Sequence, residues 1–89
     1  MKIEEGKTIS IGSVGKVKVT RIVNEGKPND RLFLRLICQI MEPVFHKWVV
    51  WRAVGERVDG DIQVNSFYDG AYFHTEKEAK EFLEGPKVW

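Results

Sequence analysis

The sequence predicts an α+β domain: a small antiparallel β-sheet of four to five strands (β-β-β-β-β-α) with one C-terminal helix packed on one face. Three observations predict it. Apolar and polar residues alternate along most of the chain, which is the period of a β-strand. Two Asp-Gly pairs, at positions 59–60 and 69–70, are typical of tight turns between strands. Good helix formers are concentrated in a single stretch near the end of the sequence.

The length of 89 residues suits one domain, and we expect a single compact unit over residues 1–89. A hydrophobic content of 43%, with five Phe and three Trp, supplies enough apolar surface to offset the entropy of ordering the chain. The formal net charge is only +1, which argues against a general nucleic-acid coat protein because such proteins bind many phosphates. A local basic patch is still compatible with this balance.

The single cysteine, Cys38, allows no intrachain disulfide and favours a reducing compartment. Glu4 and Glu5 lie where a signal peptide would need an apolar region. No apolar run approaches the ~18 residues that a membrane span requires. We therefore expect a cytoplasmic protein of host or viral origin that makes no membrane contact.

The first strands come from residues 7–12 and 15–23. Ile9 and Ile11 share one face of the first strand, and Val17 and Val19 share one face of the second. Ile22 then falls on the opposite parity, and a β-bulge near Arg21 would restore it. Residues 24–30 combine Asn, Gly, Pro and Asp, which predicts a loop.

Residues 31–41 form the strongest strand, because every second residue from Leu32 to Ile40 is apolar. Glu42 and Pro43 interrupt it, and proline suits a turn better than a central strand. The next strand is expected over residues 44–58, followed by a hairpin turn at 59–60 and a returning strand at 62–68. The Asp-Gly pair at 69–70 is a candidate for another tight turn before residues 71–74.

A helix is predicted after Thr75, which forms a capping box with Glu78. Gly85 and Pro86 end it. Its apolar stripe is short and suffices to lie on one face of a sheet. The stripe consists of Ala79, Phe82 and Leu83.

The turns fix which residues face one another in neighbouring strands. A turn centred on positions 59–60 places Trp51 opposite Tyr68 and Arg52 opposite Phe67. A turn at 43–44 places Arg35 opposite Arg52. It also places Leu36 opposite Trp51, and Cys38 opposite Val49.

These registers sort the side chains onto two faces. We assign the Leu-rich face to a core beneath the helix, because exposing it would cost roughly 1.5–3 kcal/mol per large side chain. It holds Leu32, Leu34, Leu36, Cys38, Val49, Trp51, Ala53, Val64 and Tyr68. The opposite face is the candidate binding face. It holds Phe33, Arg35, Gln39, Trp48, Arg52, Asn65 and Phe67, together with Ile37 and Val50.

Two opposed arginines, Arg35 and Arg52, would repel unless an anion or a carboxylate lay between them. Trp48 and Phe67 beside them could stack on nucleic-acid bases. The simpler interpretation is that the arginines lie flat over the aromatic rings and point into water.

No catalytic residue, metal site or cofactor is predicted. His46 and His74 lack the spacing of known metal motifs, and the sequence holds a single cysteine. The parity of Cys38 places it among leucines, as a packed thiol rather than a nucleophile.

We expect a small non-enzymatic protein-binding module, inhibitor-like or adaptor-like, of the kind that phages and mobile elements encode. It would act through the aromatic and arginine face or through a sheet edge. One alternative is a single-stranded DNA- or RNA-binding protein that uses the same face. Another is a homodimer built on that face, which would cover Phe33, Ile37, Trp48 and Val50. In these interpretations Trp51 contributes to stability and Trp48 mainly to association.

Overall fold

A computed structural model of the chain describes residues 1–12, 14–24 and 31–85. These residues form one antiparallel sheet of six strands and one helix, so the predicted α+β class is confirmed. The strand count is higher than the expected four to five, because a two-residue strand is too short to show a period. The elements are β1 (Lys2–Ile3), β2 (Thr8–Ile11), β3 (Gly15–Asn24), β4 (Arg31–Ile40), β5 (Trp48–Val58), β6 (Asp61–Phe73) and α1 (Glu76–Glu84).

The sheet curves into a nearly closed barrel. Its strand order is β1-β6-β5-β4-β3-β2, so the two outermost strands are consecutive in the chain. The segment between them crosses from one edge to the other, with Gly6 donating to the carbonyl of Val19 at 2.6 Å and Val19 donating to that of Lys7 at 2.9 Å. These bonds cover edge groups that an open sheet would leave available for pairing.

The Leu-rich face lines the inside of this barrel. The predicted pairs Leu36–Trp51 and Cys38–Val49 are confirmed. The buried interior side chains are Ile3, Ile9, Val17, Val19, Leu32, Leu34, Leu36, Cys38, Ile40, Val49, Trp51, Ala53 and Val64.

The helix lies on the opposite, outer face, so the expectation of a Leu-rich core beneath the helix is wrong. Ala79 and Leu83 of α1 pack on Ile37 and Val50. The parity assignment was correct for β4 and β5, but the curved sheet covers its own inner face and needs no helix there. The apolar row on the outer face is what the helix covers. Around it lie the partly buried Val23, Trp48, Phe73 and Phe82.

Bulges set the remaining register. The predicted bulge near Arg21 is confirmed, because the β3–β4 register shifts between Val19 and Arg21. Between β5 and β6, a shift between Val54 and Gly55 places Arg52 opposite Tyr68 and Ala53 opposite Phe67, and a second shift lies between Val50 and Arg52. The predicted pairs Trp51–Tyr68 and Arg52–Phe67 are therefore wrong, because the first shift moves Phe67 to the inner face and Tyr68 to the face of Arg52.

The two Asp-Gly pairs have different roles. Asp59 and Gly60 have φ angles of 51° and 83°, so the predicted hairpin turn is confirmed. Asp69 and Gly70 lie inside β6 rather than at a turn, at the second register shift. A Cβ at Gly70 would lie 2.6 Å from Nε1 of Trp51, so the indole needs a glycine there.

The capping box of α1 is confirmed. The Glu78 amide donates to Oγ1 of Thr75 at 3.2 Å, and the Thr75 amide donates to Oε1 of Glu78 at 3.2 Å. The helix ends at Glu84, where a salt bridge of 3.0 Å joins Glu84 to Arg21 of β3. Gly85 follows as the C-cap, whereas Pro86 and most of the predicted loop at 24–30 lie outside the described residues.

Replacing Gly55 with alanine should destabilise the barrel. The added Cβ would overlap the backbone oxygen of Gln63 and lie 3.2 Å from Cα of Val64, so β5 and β6 would have to separate. We expect a loss of about 1–3 kcal/mol in the free energy of unfolding, measured with urea. Gly12→Ala, which places its methyl group in open space, is the matched control. Equal stability of the two variants would contradict the close β5–β6 approach.

The two tryptophans should differ in their contribution to stability. Trp51 is 5% exposed in the barrel interior, so Trp51→Ala should cost roughly 3–5 kcal/mol. Trp48 is only partly buried beside the helix, so Trp48→Ala should cost clearly less. Urea unfolding followed by circular dichroism measures both losses, and equal losses would show that the assignment of these residues to interior and outer face is incorrect.

Candidate functional site

The helix divides the candidate binding face that the sequence predicts. Trp48, opposite Gln39 and Phe73, is half-buried in the cluster under α1. Phe67 packs against the barrel interior instead of lying beside the arginines. The two aromatic rings that were expected to flank Arg35 and Arg52 are thus on opposite sides of the sheet.

The arginine pair itself is present. Arg35 lies opposite Arg52 in the β4–β5 ladder, as predicted, and is only 6% exposed. Arg52 is more exposed, and its Nη1 lies 3.2 Å from Oδ2 of Asp69. Its guanidinium carbon lies 5.3 Å from the centre of the Tyr68 ring. The carboxylate and the ring that accompany Arg52 therefore come from the protein itself, which is the arrangement expected of a solvated surface arginine.

The other predicted residues of this face are dispersed. Phe33 is about half exposed near the start of β4, whereas Gln39 is exposed near its other end. Asn65 is exposed at the β6 bulge. Phe33 lies on the same face as Arg35 and Arg52, two residues from Arg35 along β4, whereas Gln39 lies at the other end of that strand, opposite Trp48.

A different surface concentrates exposed apolar groups. Residues 41–47 connect β4 to β5, and within them Val44 is 85% exposed and Phe45 is 80% exposed. Met41 and Tyr72 are each about half exposed. We call Met41, Val44, Phe45 and Tyr72 the apolar loop patch. Contiguous exposed apolar side chains of this kind mark interaction sites more often than isolated ones do.

The base of this loop is held in place by backbone hydrogen bonds. The Ile40 amide donates to the carbonyl of Lys47 at 2.8 Å, and the Met41 amide donates to that of Lys16 at 3.0 Å. Pro43 restricts the backbone between these points. The exposed side chains are thus carried on an ordered base.

Histidines join the loop to the neighbouring elements. His46 stacks on His74, which precedes the helix, with ring centres 4.5 Å apart and planes at 29°. The centre of the Tyr72 ring lies 5.9 Å from that of His46. Together they form an aromatic wall between the loop and β6.

A cleft of about 290 Å³ opens beside this wall. Its floor is Ile40 and Val14, which pack at the edge of the barrel core. Ligand pockets usually have volumes of roughly 300–1,000 Å³, so this cleft suits one side chain rather than a large ligand. Its remaining lining is Glu42, Val44, Phe45, His46 and Tyr72.

A second cleft, of about 390 Å³, is lined mainly by polar and charged residues from β1, the segment after it, and the β5–β6 hairpin. In it, Glu5 already accepts a hydrogen bond from the Ile22 amide at 2.9 Å. Glu4, Arg57 and Asp61 supply both signs of charge. This mixture shows no preference for one class of ligand.

The described residues contain no group of three or more His, Cys, Asp or Glu that could hold a metal ion. Cys38 is fully buried, and burial raises the pKa of its thiol from 9.0 to about 12. At neutral pH the thiol is protonated, so it is a poor nucleophile.

The strand predicted over residues 44–58 conceals the apolar loop patch, because residues 44–47 belong to a loop. The structure starts β5 at Trp48. The available signal was Val44 and Phe45 themselves, two consecutive large apolar residues that break the alternation directly after Glu42 and Pro43.

No protein-family model matches this chain, and no curated protein or solved structure matches it significantly. Among the described residues, no helix has both the length and the apolar character needed to span a bilayer.

Cys38 should resist alkylation in the folded protein. Iodoacetamide at pH 8 should modify it slowly, whereas the chain unfolded in guanidinium should react like an ordinary thiol. Because the folded-state pKa is the higher one, the thiol's contribution to stability is complete below about pH 9 and is lost as the pH rises towards 12. Mass spectrometry of timed samples measures the rates, and rapid modification of the native protein would contradict the buried position.

Proposed function

We propose that this chain is a non-enzymatic protein-binding module, inhibitor-like or adaptor-like, that engages its partner through the apolar loop patch. The observation that carries the proposal is the exposure of Val44 and Phe45, at 85% and 80%. Transfer of either side chain from water into a partner's pocket is worth roughly 1.5–3 kcal/mol. A few aromatic and apolar anchors of this kind commonly dominate the affinity of an interface.

A protein partner fits this patch better than a lipid surface or a second copy. Glu42 and Lys47 are both exposed in the loop, so the loop has no excess of positive charge to attract the anionic surface of a membrane. In a symmetric dimer, two protruding loops would meet tip to tip. Such contacts bury far less than the ~800 Å² per partner of a stable interface.

The aromatic and arginine sheet face supports the proposal less well than the loop does. The helix covers Ile37 and Val50 and part of Trp48, and Arg52 is accompanied by Asp69 and Tyr68. A sheet-edge mode is also weakened, because the segment joining β1 to β2 contributes hydrogen bonds along β3.

Nucleic-acid binding and homodimerisation through the sheet face have less support, because most of the exposed side chains that suggested them are covered. Stacking on bases requires exposed rings beside cations, yet Phe67 packs against the interior and Trp48 against the helix cluster. Dimerisation was suggested by an exposed set of Phe33, Ile37, Trp48 and Val50, of which Phe33 is the member that stays about half exposed.

Loss of the loop anchors should weaken binding to the true partner. With Phe45 replaced by the photo-crosslinking residue p-benzoylphenylalanine, the protein cross-linked in cell extracts is identified by mass spectrometry and purified. Calorimetric titration of that protein with the Val44→Ser/Phe45→Ser variant should show at least a ~30-fold weaker Kd than wild type, as expected for a hot spot of about 2 kcal/mol.

Phe33→Ser is the matched control, because Phe33 is an exposed aromatic residue on β4, away from the loop. Its affinity should equal that of wild type. Arg52→Glu tests the sheet face in the same titration. Unchanged binding by the loop variant, or loss of binding only with Arg52→Glu, would refute the loop. A concentration-dependent dimer in light scattering, abolished by Val44→Ser/Phe45→Ser, would instead identify a second copy as the occupant.

A further inference from the structure

We propose that the cleft beside the apolar loop patch binds the cationic side chain of a lysine or arginine from the partner protein. The identity of this occupant rests on the proposed function. The cleft is lined by Val14, Ile40, Glu42, Val44, Phe45, His46 and Tyr72, so it shares Val44, Phe45 and Tyr72 with the apolar loop patch.

The negative charge of Glu42 favours a positively charged occupant of the cleft. Glu42 is the only Asp, Glu, Lys or Arg in the described lining. Glu42 is exposed in the free chain, and once a partner covers the cleft its carboxylate would be stabilised by an opposite charge and destabilised by an anion or by purely apolar cover. Lys16 and Lys47 contribute their carbonyl groups to the loop base, and neither belongs to that lining.

The aromatic rings of the cleft also favour a positively charged occupant. The faces of aromatic rings attract ammonium and guanidinium groups that lie within about 6 Å of the ring centre. Phe45 and Tyr72 both line the cleft, and His46 is held against Tyr72 by the stack with His74. Two benzenoid rings near one carboxylate form a set of groups suited to an organic cation.

The apolar floor of the cleft favours an occupant whose charged group is carried on an aliphatic stem. Ile40 and Val14 continue the barrel core into the cleft and offer apolar surface below the carboxylate and the rings. A metal ion or a small inorganic cation would leave this surface uncovered. Lysine and arginine combine a hydrocarbon stem with a charged end, and such side chains commonly cover apolar surface while the charge stays near polar groups.

The protruding loop and the cleft together imply a reciprocal contact with the partner. Phe45 protrudes into the partner, and the partner returns a basic side chain to the cleft at the base of the same loop. One loop would then supply both an apolar anchor and a charge that determines orientation, which is how polar groups add specificity to an apolar interface.

Nuclear magnetic resonance titration of the full ¹⁵N-labelled chain tests the cleft without the partner. The probes are N-acetylarginine amide, N-acetyllysine amide and the uncharged N-acetylnorleucine amide. We expect millimolar binding of the cationic probes, with shifts concentrated at the amides of Glu42, His46 and Tyr72. Norleucine amide should bind at least about fivefold more weakly, as expected for the loss of a cation–π and carboxylate interaction.

The variant Glu42→Gln should remove most of the difference between arginine amide and norleucine amide. Glu4→Gln, which removes a carboxylate from the second cleft, should leave it unchanged. Should Glu42→Gln perturb the fold, visible as lost spectral dispersion, the wild-type comparison of charged and uncharged probes still decides.

Equal affinity for arginine and norleucine amides, or shifts that map away from the loop, would overturn the proposal. Neither result depends on a protein partner, so neither would contradict the loop as the partner-binding site. Retention of partner binding by the Val44→Ser/Phe45→Ser variant would refute the loop as an anchor. The preference of the cleft for cations could still be measured on the wild-type chain.

Discussion

The packing of one alternating set of apolar side chains inside a curved sheet is the constraint on which the rest of the structure depends. Strands β3, β4 and β5 each turn every second side chain inward, and Leu34, Leu36 and Val49 are fully or almost fully buried there. A flat sheet would need a second layer to cover that face. Here the sheet curves and the segment joining β1 to β2 crosses between its edges, so the chain covers its largest apolar surface with its own backbone.

Because the interior is self-covered, the helix is available for the outer face. It covers the row containing Ile37 and Val50, while the Arg52 guanidinium lies over the ring of Tyr68. The two most exposed large apolar side chains, Val44 and Phe45, lie at one end of the barrel in the β4–β5 connection. Loops at the ends of a rigid barrel are a common place for binding residues, because the strands fix their bases while their tips stay accessible.

The sequence was sufficient for the fold class, the hairpin at Asp59, the capping box at Thr75 and the β4–β5 register, since each depends on local turn chemistry or strict alternation. It was insufficient for the register of β6, because a bulge near Asn65 changes the parity of residues 66–68 and the Asp-Gly pair at 69–70 marks a second bulge rather than the expected turn. The sequence was also insufficient to predict which face of the sheet the helix covers. Parity separates two faces but does not say which is concave, and that depends on closure of the whole sheet.

The shortness of the apolar stripe on α1 has a consequence for motion. The helix packs through Ala79, Phe82 and Leu83 and accepts an exposed salt bridge from Arg21, whereas the barrel has a continuous interior. Elements with few buried contacts open at lower free energy than the global transition. The helix should therefore detach as a unit from an intact barrel, with faster amide exchange in α1 than in β4. In that open form Trp48 and Val50 would form a transiently exposed apolar surface.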